Sequence, residues 1–107
     1  MREEKETPPG LQRPLVIRAL RRSTVRKKIM QYLYDIKPNG SYAADIAYQV
    51  HTTPSNVAGA IKGMPSRYRN AESLITLHLV EQLKVSDHMK IYRLTDFGKE
   101  ILETIDE

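Results

Sequence analysis

Apolar residues recur at helical spacing from Val25 to Ile36: Val25, Ile29, Tyr32, Leu33 and Ile36 stand at offsets 0, 4, 7, 8 and 11. That pattern predicts an amphipathic helix over Thr24–Ile36. Ser23 is placed to cap it, and Pro38, Asn39 and Gly40 to end it in a turn. Ser41 and Tyr42 read as a short extended entry to a second helix, Ala43–Val50, with Ala43, Ile46, Ala47 and Val50 inward. His51 and Thr52 form the next turn. Thr53 as N-cap and Pro54 at the first helical position open a third helix that buries Val57, Ile61 and Met64. Gly63, in a left-handed conformation, and Pro65 stop that helix. Asn70 is expected to cap a fourth stretch, Ala71–Leu77, burying Leu74, Ile75 and Leu77.

Beyond Leu79 the period changes. Val80–Val85 leads into Ser86, Asp87 and His88, a turn-forming cluster. Lys90–Leu94 alternates, with Tyr92 and Leu94 on one face and Ile91 and Arg93 on the other. Two short strands around a polar turn are expected there. Thr95 then caps a last helix whose apolar side carries Phe97, Ile101, Leu102 and Ile105.

Residues Met1–Gln12 are charged, Pro-rich and poor in anything to bury, so a flexible arm over 1–12 and one domain over 13–107 are expected. Pro14–Leu20 reads two ways, as a helix opening at Pro14 or as extended chain. Its apolar residues Leu15, Val16, Ile17 and Leu20 are candidates for pairing two subunits. No apolar run reaches the roughly 18 residues a membrane helix needs. The chain has no cysteine, hence no disulfide framework or thiolate metal site, and a cytoplasmic location is expected. His51, His78 and His88 fall on different elements, without metal-ligand spacing. No phosphate-binding glycine loop, nucleophile elbow or paired-carboxylate motif occurs. An enzyme is not indicated, and no cofactor is implied.

The net charge of +4 is unevenly spread. Leu11–Tyr34 contains no acid but seven bases, Arg13, Arg18, Arg21, Arg22, Arg26, Lys27 and Lys28. Gln49–Ala71, also acid-free, adds Lys62, Arg67 and Arg69. Acids gather at the two ends. Such segregation makes a positive face able to displace counterions from a phosphate backbone, though a solvated basic helix would look the same.

Certain segments carry a resemblance. Tyr92-Arg93-Leu94-Thr95, with Gly98 and Ile101-Leu102 after it, resembles the wing and last helix of winged helix-turn-helix proteins. Ala44-Asp45-Ile46-Ala47 and Thr53-Pro54-Ser55-Asn56-Val57 resemble the two helices of the helix-turn-helix in MarR-like and ArsR-like regulators. The likeness is greatest to small archaeal-type winged-helix regulators, over Ser23–Ile105. It implies a mainly α fold with a small β-wing, in the order α-β-α-α-β-β-α. Two departures stand out: His78 occupies a position where relatives place a glycine in a left-handed turn, and Gly63–Glu72 is an insertion of about ten residues.

The resemblance implies sequence-specific binding of double-stranded DNA by a homodimeric transcriptional regulator. Helix 54–62 would enter the major groove and offer Ser55, Asn56, Gly59 and Lys62. Asparagine can pair bidentately with adenine, and Gly59 would let the backbone approach. A basic loop over 64–70, with Arg67, Tyr68 and Arg69, and a wing over 80–94, with Lys90 and Arg93, would hold the backbone, as would Arg22, Arg26 and Lys27. Two other functions suit the same fold: a protein-interaction module of a transcription or replication assembly, and a sequence-neutral chromatin protein.

Overall fold

The computed structural model describes residues 9–64 and 72–105. Five helices and a two-stranded antiparallel hairpin form the fold: α1 (Pro9–Arg22), α2 (Thr24–Ile36), α3 (Ala43–Gln49), α4 (Pro54–Lys62), β1 (Val80–Ser86), β2 (Met89–Leu94) and α5 (Asp96–Ile105). This is the winged helix-turn-helix that the resemblance implies, with one helix more at its start.

The central element is α2, which packs against α1, α3, α4, α5 and β2. Its bounds are those its pattern predicts, and the Ser23 hydroxyl accepts from the Arg26 amide at 3.1 Å. The deeply buried stripe is Arg26, Ile29, Met30 and Leu33, rotated one position from the predicted one. Val25, Tyr32 and Ile36 lie at its half-buried margin. Around this stripe gather Ile46, Val57, Ile61, Leu74, Leu79 and Ile101, all fully buried.

The region before Ser23 departs most from expectation. Pro9–Arg22 is one helix, which starts before the expected opening at Pro14 and places Pro14 inside it. Only one backbone bond is lost there, near the end of the helix, which limits the cost of an internal proline. Val16, Ala19 and Leu20 recur at i, i+3, i+4 and are buried in the domain's own core at 0–1% exposure. Val16 and Leu20 are therefore withdrawn as subunit contacts. Residues 1–8 lie outside the described residues.

A second difference lies after the insertion. Residues 74–78 form successive turns rather than a helix, and within them the Ser73 hydroxyl accepts from the Thr76 amide at 3.2 Å; Asn70 and Ala71, the expected cap and start, lie outside the described residues. His78 has φ 61°, the left-handed turn that its place before the wing demands; histidine tolerates it better than most residues.

The α5 helix is pinned where the wing begins. Thr95 Oγ1 accepts from the Gly98 amide at 2.9 Å and donates to the His78 carbonyl at 2.6 Å. At Gly98 a side chain would run into the Leu79 carbonyl oxygen, so this close approach requires glycine. Ser41 bridges Tyr92, adding a stub strand beside β2 and leaving β1 at the edge.

Candidate nucleic-acid interface

The helix-turn-helix is built from α3 and α4. Ile46 and Ala47 are buried where the helices meet, and the small Ala47 permits the close crossing. His51 turns the chain with φ 61°, and the Thr52 amide bonds back to the Ala47 carbonyl at 2.9 Å. Thr53 then caps α4 by accepting from the Asn56 amide at 3.1 Å, with Pro54 in the first turn. This start is as expected.

The outer side of α4 is narrower than expected. Ser55 and Lys62 are exposed, and Asn56 is half-buried. The Asn56 side-chain amide donates to the Thr52 hydroxyl at 2.9 Å, which ties this candidate base reader to the turn. Gly59, expected at the surface, is buried with Val57, Ala60 and Ile61, so its backbone is not available to approach DNA. Gly63 has φ 96° and ψ 152°, a positive φ without left-handed helical geometry. The amides of Leu74 and Ile75 bond the Ala60 and Ile61 carbonyls, each at 3.0 Å. Thus the chain returns after the insertion to satisfy the C-terminal carbonyls of α4.

Arg67, Tyr68 and Arg69, the candidates within the insertion, lie outside the described residues. Glu72, just after it, organises the neighbouring cations. Its carboxylate lies 2.8 Å from Arg22 Nη1 and 3.6 Å from Arg26 Nη1, and its side chain is 7% exposed. Arg26 also donates to the Ala19 carbonyl at 3.3 Å. Arg26, expected to touch phosphate, is therefore a buried structural residue: it occupies an inward position of α2, and the low-dielectric site is balanced by Glu72. Arg22 is half-exposed but shares that carboxylate. Lys27 is exposed on α2, beside Lys28. Sequence reasoning missed Glu72, although it is the first acid after the acid-free window and opens an apolar segment.

The wing pairs Glu81 with Arg93, Leu83 with Ile91 and Lys84 with Lys90. Arg93 Nε sits 2.6 Å from Glu81 Oε2, and both line a surface cleft of about 650 Å³ with Lys37, Thr95, Asp96 and Lys99. Strand alternation puts Lys90 and Arg93 on opposite faces of the ribbon, so the structure does not bring these two candidates together. The described candidates with exposed side chains are Ser55, Lys62, Lys27, Lys90 and the Glu72-bound Arg22, with Asn56 at their margin.

Residues 16–105 match the EarA-like family. Over 92 residues the chain is 47% identical to an uncharacterized protein of Methanocaldococcus jannaschii, MJ0905, covering 86% of this chain and 82% of that one. Among solved structures it resembles MepR, a transcription regulator of the Staphylococcus aureus multidrug efflux pump MepA. The TM-score is 0.62 at 17% identity, over 91% of this chain and 67% of MepR. A MepR mutant from a clinical isolate gives 0.60 at 18% identity, over 94% and 75%. At such identities the likeness is one of fold, and that fold is the winged helix-turn-helix. The chain belongs to the EarA-like family.

Proposed function

We propose that this protein is a cytoplasmic transcriptional regulator that binds double-stranded DNA as a homodimer. In this reading α4 enters the major groove, Ser55, Asn56 and Lys62 face the DNA, and the loop at 64–70 and the wing contact the backbone. The observation that carries the reading is the chemistry of α4: a capped helix that presents Ser55, Asn56 and Lys62 outward beside only the small Pro54 and Ala58, without a single acid in it. A helix end presented this way offers amide and hydroxyl donors to DNA. Likeness in fold to a transcription regulator supports it.

Lys27 and Lys90, with Arg67, Tyr68 and Arg69, belong to the proposed contact set. Arg22, Arg26, Arg93 and Gly59 do not, because each is held by a carboxylate or buried. Two-fold pairing would set two α4 helices about one helical turn of DNA apart and demand a pseudo-palindromic site. A protein-interaction module would show large apolar side chains on α4; among the described residues the exposed large apolar ones are Tyr48, Val85 and Met89, none on that helix.

The test is selection of binding sites from random duplex DNA at defined salt. Enrichment of a pseudo-palindrome is the expected result. Tight binding without enrichment would reassign the protein to sequence-neutral chromatin binding, and no binding would refute the DNA reading.

A further inference from the structure

We infer that the wing tip is an apolar wedge that opens a base step in the minor groove, with Lys84 and Lys90 holding the phosphates on either side. The inference rests on the DNA-binding reading above and specifies how one part of the surface would engage the duplex. Its first support is exposure. Val85 is 54% exposed and Met89 45%, although both are apolar, and they adjoin at the end of the hairpin. The strand register shifts between Lys84 and Ser86, leaving Val85 unpaired beside the Ser86–Met89 pair. Bulges of this kind re-aim a side chain and recur where a strand meets a ligand.

The second support is charge. Lys84 and Lys90 are direct cross-strand partners, and like charges so placed repel. Asp87 lies 3.9 Å from Lys84, but the two side chains are 62% and 90% exposed, so water screens the pair and leaves Lys84 available to phosphate; Lys90 has no carboxylate partner among the described residues. The end of the ribbon therefore attracts an anion from outside, and its tip attracts an apolar surface. A phosphate-lined groove supplies both.

Area separates this occupant from a protein. Two protruding side chains fall far short of the roughly 800 Å² per partner that a stable protein interface buries. Wedges that kink DNA, by contrast, work with one or two apolar side chains, methionine among them. The same geometry predicts a preference at positions the recognition helix does not read: flexible TA or CA steps on each flank, which unstack most readily.

The experiment uses the full chain and a duplex of about 30 base pairs carrying the sequence enriched by site selection. End-to-end energy transfer reports bending, and 2-aminopurine at the flanking step brightens when unstacked. Native protein should raise both signals. V85S/M89S should still bind with an unchanged salt slope, but about tenfold more weakly and without either signal. K84Q/K90Q should lower the slope of log affinity against log salt by about two. Circular dichroism establishes that each variant is folded, and M89A alone serves if the double variant melts early. Native binding without bending or unstacking, or a V85S/M89S protein that bends DNA as the native does, would overturn the wedge and leave the DNA reading standing. Absence of duplex binding by the native protein would overturn both.

Discussion

Removing the Glu72 carboxylate should destabilise the domain more than removing any exposed acid. Glu72 binds Arg22 at 2.8 Å and Arg26 at 3.6 Å, and the Glu72 and Arg26 side chains are 7% and 4% exposed. Taking one partner out of a buried pair typically costs about 3–5 kcal/mol, because the remaining charge stays in a poorly polarisable site. Two features pull the expected cost toward the lower end. The Arg22 side chain is 47% exposed and can be rehydrated, so its share is screened. Arg26 keeps its bond to the Ala19 carbonyl. We expect E72A to lose about 3 kcal/mol, which in a domain of this size lowers Tm by roughly 15 °C. E72Q keeps the shape and one acceptor and should fall between the two. With no tryptophan in the chain, urea unfolding followed by far-UV circular dichroism is the suitable assay. The m-value should not change, which would keep the effect in the native state. An E72A protein within about 0.5 kcal/mol of native, the range of ordinary surface substitutions, would refute the argument.

Further predictions follow from single contacts. G98A puts a methyl group against the Leu79 carbonyl and Leu94; it should cost about 1–3 kcal/mol by overpacking, read in the same unfolding assay. The Tyr34 hydroxyl donates to Glu103 at 2.9 Å, and this bond, with burial and the Glu103 charge, holds the phenol above its ordinary pKa of 10.0. E103Q should shift the tyrosinate absorbance midpoint of Tyr34 downward. In the native protein, stability should fall once the pH passes the unfolded-state value, because the unfolded chain then releases this proton first. Deleting residues 1–20 removes Val16, Ala19 and Leu20 from the core; at about 1.5–3 kcal/mol for each larger side chain, cooperative melting should be lost. K62Q should reduce the salt slope of duplex binding by about one, whereas R22A should leave it unchanged, since Glu72 already holds that guanidinium.

The starts of three helices were legible in the hydroxyl that caps each. Ser23, Thr53 and Thr95 each accept the bond that their position predicts. The α1 helix was hidden by two local signals. The Pro-rich start reads as a breaker, and Leu15-Val16-Ile17 is contiguous, which blurs a helical period. Yet Val16, Ala19 and Leu20 do carry that period, and their packing on α2 decides the conformation. The stretch 74–78 misleads in the other direction. Its apolar spacing suits a helix, but the amides of Leu74 and Ile75 are already committed to α4 carbonyls. That long-range pairing is invisible in local sequence.

The candidate site was harder to read for a related reason. The stripe read from Val25, Ile29, Tyr32, Leu33 and Ile36 leaves Arg26 outside it, whereas the buried stripe is rotated by one position and takes in Arg26, three residues before Ile29 and four before Met30. Glu72, 46 residues away in the chain, makes that burial affordable, and local spacing carries no sign of it. The cations differ in what holds them. Arg13, Arg22, Arg26 and Arg93 are held by carboxylates within the domain, where the rigid guanidinium fork fits a fixed acceptor. Lys27, Lys28, Lys62 and Lys90, with Arg18 and Arg21, are exposed and have no carboxylate partner among the described residues. Lysines are flexible point charges suited to phosphate rather than to base edges. If α4 docks as proposed, its described residues leave base reading mainly to Ser55 and Asn56, and Asn56 must share its amide with Thr52. So few readers per subunit supply limited discrimination at about 1–3 kcal/mol for each good bidentate contact. Specificity would then depend on pairing two subunits and on the deformability of the steps beneath the wing, which is why site selection and the bending experiment belong together.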